Sequence, residues 1–322
     1  MNRRQLVAAL TTLLATQGAA AQGEGFPSRP VHLLLPFSPG GTTDIMARTM
    51  SAKFQQETGQ PLVIDYKPGA GGMIATEMVA RASADGYTLL LGSSAQLALN
   101  PSLYATVRYD PVKDFAPVAL LGATPNVLLA HPSLPVASLK DLIALAKSQG
   151  GRINFASPGA GSTAHLAAEL LKMQAGIDLV HVPYRGAGPA VMDALGGQVQ
   201  LIFVAIPSIV NHAKQGRLRA IAVSGSHRSE ALPDVPTIAE TLPGFEASAW
   251  YGIVAPAGTP AAALGRLNAL FKKITEAADL RAAWALQGID PLEATPAQFA
   301  DYIRSELPKW RAVIQRSGAK AD

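Results

Sequence analysis

A Gly-rich turn that this chain uses twice, each time between an apolar run and an amphipathic one, constrains its fold more than any other feature. The first copy is Ser38-Pro39-Gly40-Gly41-Thr42-Thr43-Asp44, behind the apolar residues 31–37. The second is Ser157-Pro158-Gly159-Ala160-Gly161-Ser162-Thr163-Ala164-His165, behind residues 153–156. Ile45, Met46 and Met50 follow the first, and Leu166, Ala167, Leu170 and Leu171 the second, at helical spacing. Each copy reads as strand, turn, helix N-terminus. Such a turn leaves backbone N–H groups unpaired at the positive end of the helix dipole. It is a ready place for a carboxylate or phosphate. Two copies in one chain suggest two half-sites that close on one anion-bearing ligand.

The elements around the turns read as an α/β protein. Residues 31–37 are apolar apart from His32, as in a central parallel strand covered on both faces; His32 reads as a core or edge histidine. The helix after Gly41 stops at Gly59-Gln60-Pro61. Strand 62–66, a third Gly-rich turn at 67–72, helix 73–82 and strand 87–92 follow. That order predicts right-handed βαβ winding. Residues 37–41, 67–72 and Ser93 then share the sheet edge at which open α/β sheets bind ligands.

Residues 118–121 and 127–130 read as two short strands broken by Gly122-Ala123-Thr124-Pro125, where the chain crosses into a second domain. The same grammar then repeats. Ser138 caps a helix to Gln149; strand 153–156, helix 162–175 and strand 179–184 follow. A turn from Arg185 to Pro189 opens a helix to Leu195, with strands at 199–206 and 218–224. Residues 226–242 read as a loop and 250–256 as a strand returning to the first domain. Helices 261–278 and 296–316 close the chain. The expected division is domain 1 at 22–124 plus 226–322 and domain 2 at 125–225. Two crossings form the hinge of a ligand cleft.

Residues 1–21 stand apart. Arg3-Arg4, the apolar stretch 6–14 and Ala19-Ala20-Ala21 read as a secretory signal peptide cleaved near Ala21. No later apolar run approaches the roughly 18 residues of a membrane span. The chain has no Cys, so no disulfide, thiolate metal site or lipid-anchor cysteine. Export without Cys points to the periplasm of a bacterium. Removing Arg3 and Arg4 from the 27 Lys and Arg leaves a small excess over the 23 Asp and Glu. With no basic cluster interleaved with aromatics, nucleic acid is not an expected partner.

Catalytic signatures are thin. There is no G-x-S-x-G, H-E-x-x-H or P-loop, and the 6 His show no metal-ligand spacing. No catalytic residue, metal or cofactor is expected. Gly159-Ala160-Gly161-Ser162-Thr163-Ala164 also fits G-x-G-x-x-A of dinucleotide sites, but Pro183-Tyr184-Arg185 stands where the ribose-binding acid belongs. An exported enzyme using Asp44 or His165 as acid–base is the alternative to a binding protein. In the binding reading, turn amides hold a carboxylate and the hydroxyls of Ser38, Thr42, Ser157, Ser162 and Thr163 add donors. Such charge-assisted bonds contribute roughly 1.5–3 kcal/mol each.

The candidate ligand residues of the first half are Phe37, Ser38, Gly40, Gly41, Thr42, Asp44 and Ser93. Those of the second are Ser157, Gly159, Gly161, Ser162, Thr163, His165, Tyr184, Arg185 and Gly186. Asp44 either interacts with first-turn N–H groups or meets the ligand. His165, at the matching place, either lies on a plain helix face or lines the cleft. Phe37 and Tyr184 end strands where an aromatic can wall a cleft; Phe37 fits core packing equally. Arg185 either pairs with a second carboxylate or faces solvent.

Further segments include Pro30 to Asp44, Asp85-Gly86-Tyr87-Thr88-Leu89, Asn100-Pro101-Ser102-Leu103-Tyr104, Val182-Pro183-Tyr184-Arg185-Gly186, Pro233-Asp234-Val235-Pro236-Thr237 and Trp250-Tyr251-Gly252. In this order the chain resembles the Bug family, the extracytoplasmic solute receptors of tripartite tricarboxylate transporters. The resemblance implies an α/β two-lobed periplasmic binding protein fold of type II, each lobe a mostly parallel sheet flanked by helices. It implies a small carboxylate (an amino acid, di- or tricarboxylate, or aromatic acid) gripped between the two Gly-rich loops, partly through ordered water. The expected protein is a monomer that hands its ligand to membrane permease subunits of such a transporter, or reports it to a sensor kinase.

Overall fold

The computed structural model describes residues 25–184 and 186–321; the expected leader 1–21 and the candidate Arg185 lie outside them. Strand β1 (Val31–Leu35) sends Val31, Leu33 and Leu35 into one apolar cluster and Leu34 into another. Successive strand side chains point to opposite faces, so both faces of this sheet are covered. On one face lies α1 (Thr42–Thr58), whose Met46, Met50 and Phe54 recur at four-residue spacing and are buried. Gly59, at φ 70°, ends it and donates its N–H to the Gln55 carbonyl.

The remaining strands are β2 (Leu62–Tyr66), β3 (Thr88–Ser93), β4 (Phe115–Ala130), β5 (Asn154–Ser157), β6 (Val180–Pro183), β7 (Leu201–Ala205), β8 (Arg219–Val223), β9 (Ser248–Pro256) and β10 (Asp290–Pro291). The remaining helices of two turns or more are α2 (Met73–Ala80), α3 (Leu139–Gln149), α4 (Thr163–Ala175), α5 (Ala187–Leu195), α6 (Ala261–Thr275), α7 (Ala278–Leu286) and α8 (Pro296–Ser317). The strand order is β2-β1-β3-β9-β4-β7-β5-β6, with β8 and β10 also paired to β4. β1 is parallel to β2 and β3, and β5 is parallel to β6 and β7. β9 and β4 are antiparallel inserts between these parallel sets.

β4 belongs to both lobes. Its first part pairs with β9 and its second with β7 and β8. The sequence suggested two strands broken at 122–125, whereas one strand runs through. Gly122 marks a close backbone approach there: a Cβ on it would meet the Asp290 carbonyl oxygen at 2.8 Å. The register shifts between Leu120 and Gly122, so the Gly and Pro signal denotes a bulge and not a turn. The chain returns between Ser224 and Ser248. At that crossing the Ser224 N–H donates to the Asn126 carbonyl at 2.8 Å, and the Ala247 N–H to the Ser224 carbonyl at 3.0 Å.

Two further differences are local. The helix expected over 261–278 stops at Thr275, and α7 starts anew at Ala278. The break turns Leu280 and Trp284 inward, and the Trp284 indole N–H reaches the Thr49 hydroxyl at 2.9 Å. After β3 the chain is helical over Ala95–Leu99 and Asn100–Leu103, where no helix was expected.

α8 joins the lobes. It packs on β4 and on α4, and its Phe299, Trp310, Val313 and Ile314 share one cluster with Leu90 of β3 and with Phe155 and Leu166. Trp250 and Trp310 both donate their indole N–H to Oε2 of buried Glu306, at 3.0 and 2.8 Å. A buried carboxylate needs such donors to offset its desolvation.

Candidate functional site

A cleft of about 680 Å³ opens between the lobes, and both Gly-rich turns line it. Residues 37–43 and 158–164 both line it, as do Gly186, Ala187 and Gly188. None of the described lining residues carries a charge. What they offer an anion is backbone N–H groups and hydroxyls.

Both turns are built by the same device. Asp44 is the third residue of α1, and its Oδ2 accepts the Gly40 N–H at 2.8 Å. His165 is the third residue of α4, and its Nδ1 accepts the Gly161 N–H at 3.1 Å. The amides of Gly40 and Gly161 are therefore spent on the loops' own structure. The N–H groups of Gly41, Thr42 and Thr43, and of Ala160, Thr163 and Ala164, have no partner among the described residues. All six residues line the cleft. The first turn of a helix cannot satisfy these donors internally. The Gly41 cap of α1 has no side-chain hydrogen bond, and at α4 the Ser162 hydroxyl accepts only the His165 N–H.

The supporting groups lie behind the lining. Asp44 also accepts from Arg48 Nε at 2.6 Å and the Tyr66 hydroxyl at 2.5 Å. Burial alone would push its carboxyl up; the bonds from Tyr66, Gly40 and Arg48 outweigh it and hold the carboxyl below the usual range. His165 stacks on His181 with ring centroids 3.9 Å apart, and Phe155 packs beside the pair, 4.9 Å from His181 and 6.5 Å from His165. Burial, with the Lys172 charge, brings His165 down to about 4; burial, His165 and Lys172 bring His181 down to about 3. Both rings are neutral at pH 7, which leaves Nδ1 of His165 free to accept.

The sequence-derived candidates separate into two groups. Phe37, Ser38, Gly40, Gly41, Thr42, Ser93, Gly159, Gly161, Ser162, Thr163 and Gly186 line the cleft. Asp44, Ser157, His165 and Tyr184 stand behind it. Ser157 is wholly buried, with its hydroxyl 2.6 Å from His181 Nε2, and it accepts the Gly159 N–H at 3.2 Å. Tyr184 donates to Asp193 at 2.7 Å; burial and that carboxylate push its phenol up to about 12. Ser93 lines the cleft, but its N–H and hydroxyl both bond Gln96 Oε1.

Sequence reasoning missed several lining residues, chiefly Asn100, Tyr104, Asn126, Ser208 and Tyr251. Asn100 and Tyr104 lie in a segment that carried only the family resemblance, and Tyr251 in a stretch read otherwise only as an apolar strand. The Tyr251 hydroxyl lies 3.1 Å from the Thr124 hydroxyl, which ties β9 to β4. Among the described residues no group of His, Asp and Glu is placed to hold a metal ion.

Comparison with known proteins gives a consistent result. Residues 46–319 match the family model described as tripartite tricarboxylate transporter family receptor. The chain is 40% identical over 324 residues to Protein BugT of Bordetella pertussis, with 99% of each chain covered. Among solved structures it is similar to Rpa4515 of R. palustris with adipate, at 34% identity and TM-score 0.83, covering 92% of this chain and 99% of that one. It is also similar to MatC of Rhodopseudomonas palustris with bound malate, at 34% identity and TM-score 0.78, covering 90% and 100%.

Proposed function

Because this chain belongs to the receptor family of tripartite tricarboxylate transporters, we propose that it captures a small carboxylate between its two lobes and delivers it to the membrane subunits of such a transporter, or to a sensor kinase. The observation that carries this reading is the pair of Gly-rich loops that line one cleft, each with unpaired N–H groups at or beside a helix start. The relatives with adipate and malate favour an aliphatic dicarboxylate within that class. Ser38, Gly41, Thr42 and Thr163 make the direct contacts, with Phe37 at the mouth; Ser162, expected to add a donor, gives both its N–H and its hydroxyl to the Gly159 carbonyl and shapes the loop instead. Asp44, Ser157, His165 and Tyr184 hold the loops in shape. Arg185 is a candidate for a second carboxylate.

In this reading residues 1–21 direct export and the mature monomer works in the periplasm. The lobes are 22–124 plus 226–322 and 125–225, hinged where β4 crosses and where the chain returns. Closure adds the second loop's bonds to those of the first and so shifts the lobe equilibrium toward the closed form. The acid–base candidates of the enzyme reading, Asp44 and His165, each accept an N–H of their own loop, which favours capture over turnover. A thermal-shift screen of mono-, di- and tricarboxylates against matched amides, amines and neutral sugars tests the proposal. Stabilisation by acids alone supports it; stabilisation by amines or sugars and by no acid overturns it.

A further inference from the structure

Asn126 lies where β4 passes from one lobe to the other, lines the cleft and is 1% exposed. Its backbone N–H donates to the Ser224 hydroxyl at 2.8 Å, and its carbonyl accepts the Ser224 N–H at 2.8 Å. Its side-chain Nδ2 donates to the Ala247 carbonyl at 3.1 Å, and the Ser224 hydroxyl donates to that same carbonyl at 2.8 Å. One residue thus knits both chain crossings. The Ala247 carbonyl fixes the amide orientation, because a flipped amide would set two acceptors against each other. The remaining atom, Oδ1, is buried and has no partner among the described residues. Buried amide oxygens are rarely left so, because an unmade bond costs the full desolvation of the group.

We propose that Asn126 selects among anions for one that carries a hydrogen-bond donor beside its carboxylate, a hydroxyl or an ammonium group, and that Oδ1 accepts that donor at the hinge. The inference rests on the carboxylate reading above and names what that reading leaves open. The N–H groups of the two loops can hold a carboxylate but cannot recognise a donor, since they are donors themselves. Among the cleft's polar groups the amide oxygen of Asn126 is an unsatisfied acceptor. Its position between Ser224 and Ala247 places the recognition event on the backbone that bends as the lobes close. A ligand with a suitably placed hydroxyl satisfies Oδ1 only when it reaches the hinge.

Isothermal titration of the mature protein with matched acids tests this: succinate against malate and aspartate, adipate against 2-hydroxyadipate, and phenylacetate against mandelate. In at least one set the donor-bearing acid is expected to bind about tenfold more tightly than its plain partner. Asn126→Leu is expected to bring that ratio close to one. Ser224→Ala disturbs the same crossing without touching Oδ1, and is expected to lower the melting temperature while keeping the ratio. Equal affinities within every set for the wild type overturn the proposal, as does a ratio that survives Asn126→Leu. The wild-type ratio stands as a test even if Asn126→Leu does not fold. If no acid in any set binds, the carboxylate reading fails and this proposal with it; if acids bind without preference, only this proposal fails.

Discussion

Asp44 and His165 do the same work in opposite lobes: each accepts the N–H of the glycine four residues before it, Gly40 at 2.8 Å and Gly161 at 3.1 Å. One acceptor is a carboxylate held ionised by three donors, the other an imidazole kept neutral by burial. Both bend the loop back over the start of its helix. The N–H groups beside the tethered glycine are then left to face the cleft.

If Asp44 is a loop anchor, Asp44→Ala should lower the free energy of unfolding by about 2 kcal/mol, since Gly40 and Tyr66 lose a largely buried acceptor. Tyr66→Phe should cost about 1 kcal/mol. Urea denaturation reads both, and carboxylate affinity should fall with Asp44→Ala. Unchanged stability and unchanged affinity would show that the tether is dispensable.

The stacked imidazoles set a pH dependence. Their folded pKa values, about 4 for His165 and about 3 for His181, lie below the ordinary 6.5. The unfolded chain therefore takes up protons first as pH falls. Their stabilising contribution is complete above pH 6.5 and is lost as pH drops toward 4 and 3. The loss is on the order of 3 kcal/mol for His165. Protonation of the folded His165 also removes the acceptor from the Gly161 N–H, so ligand affinity should hold down to about pH 5 and decline as pH falls through about 4. Unfolding free energies and titrations between pH 7 and pH 3 check this; a slope reduced in His165→Gln, and reduced further when His181→Gln is added, identifies the source.

Two glycines should respond differently to alanine. Gly161 has φ 74°, and a Cβ there would meet Leu103 Cδ1 at 2.9 Å. Gly161→Ala should destabilise by about 1–2 kcal/mol. Gly41 has φ −93°, and a Cβ added to it would meet nothing within 4 Å, so Gly41→Ala should fold within about 0.5 kcal/mol of wild type. Its methyl group would enter the N–H cradle, however, and should weaken capture. Thermal melts and calorimetry on the two variants separate the effects.

Glu306 is the common acceptor of two buried indoles. Glu306→Ala should cost about 2–4 kcal/mol, because two buried N–H groups lose their partner. Glu306→Gln, which keeps an acceptor oxygen, should cost less. Tryptophan fluorescence during urea unfolding follows both variants. Equal stability of the alanine variant and the wild type would contradict the assignment.

Much of this was legible in the residues. The two Gly-rich turns announced strand–turn–helix junctions, because apolar runs stopped at Phe37 and Ala156 and helical spacing began at Ile45 and Leu166. The pairing of the lobes was harder. Gly122 and Pro125 carry the local signature of a turn, yet they sit in the middle of β4, where β10 approaches too closely for a side chain. That approach comes from a segment far along the chain and leaves no local mark. The same cause hid Asn126: its burial and its bonds to Ser224 and Ala247 exist only once distant strands have met. Asp44 and His165 were found by position, but which way each side chain faced depended on loop curvature that spacing does not encode.

The central claim is that N–H groups from both loops grip one ligand together. Amide NMR of the 15N-labelled mature protein, titrated with an acid that gives a thermal shift, addresses it directly. The signals of Gly41, Thr42 and Thr43 are expected to move in step with those of Thr163 and Ala164, at one common saturation point. Movement confined to one loop, or saturation at two different concentrations, would contradict it.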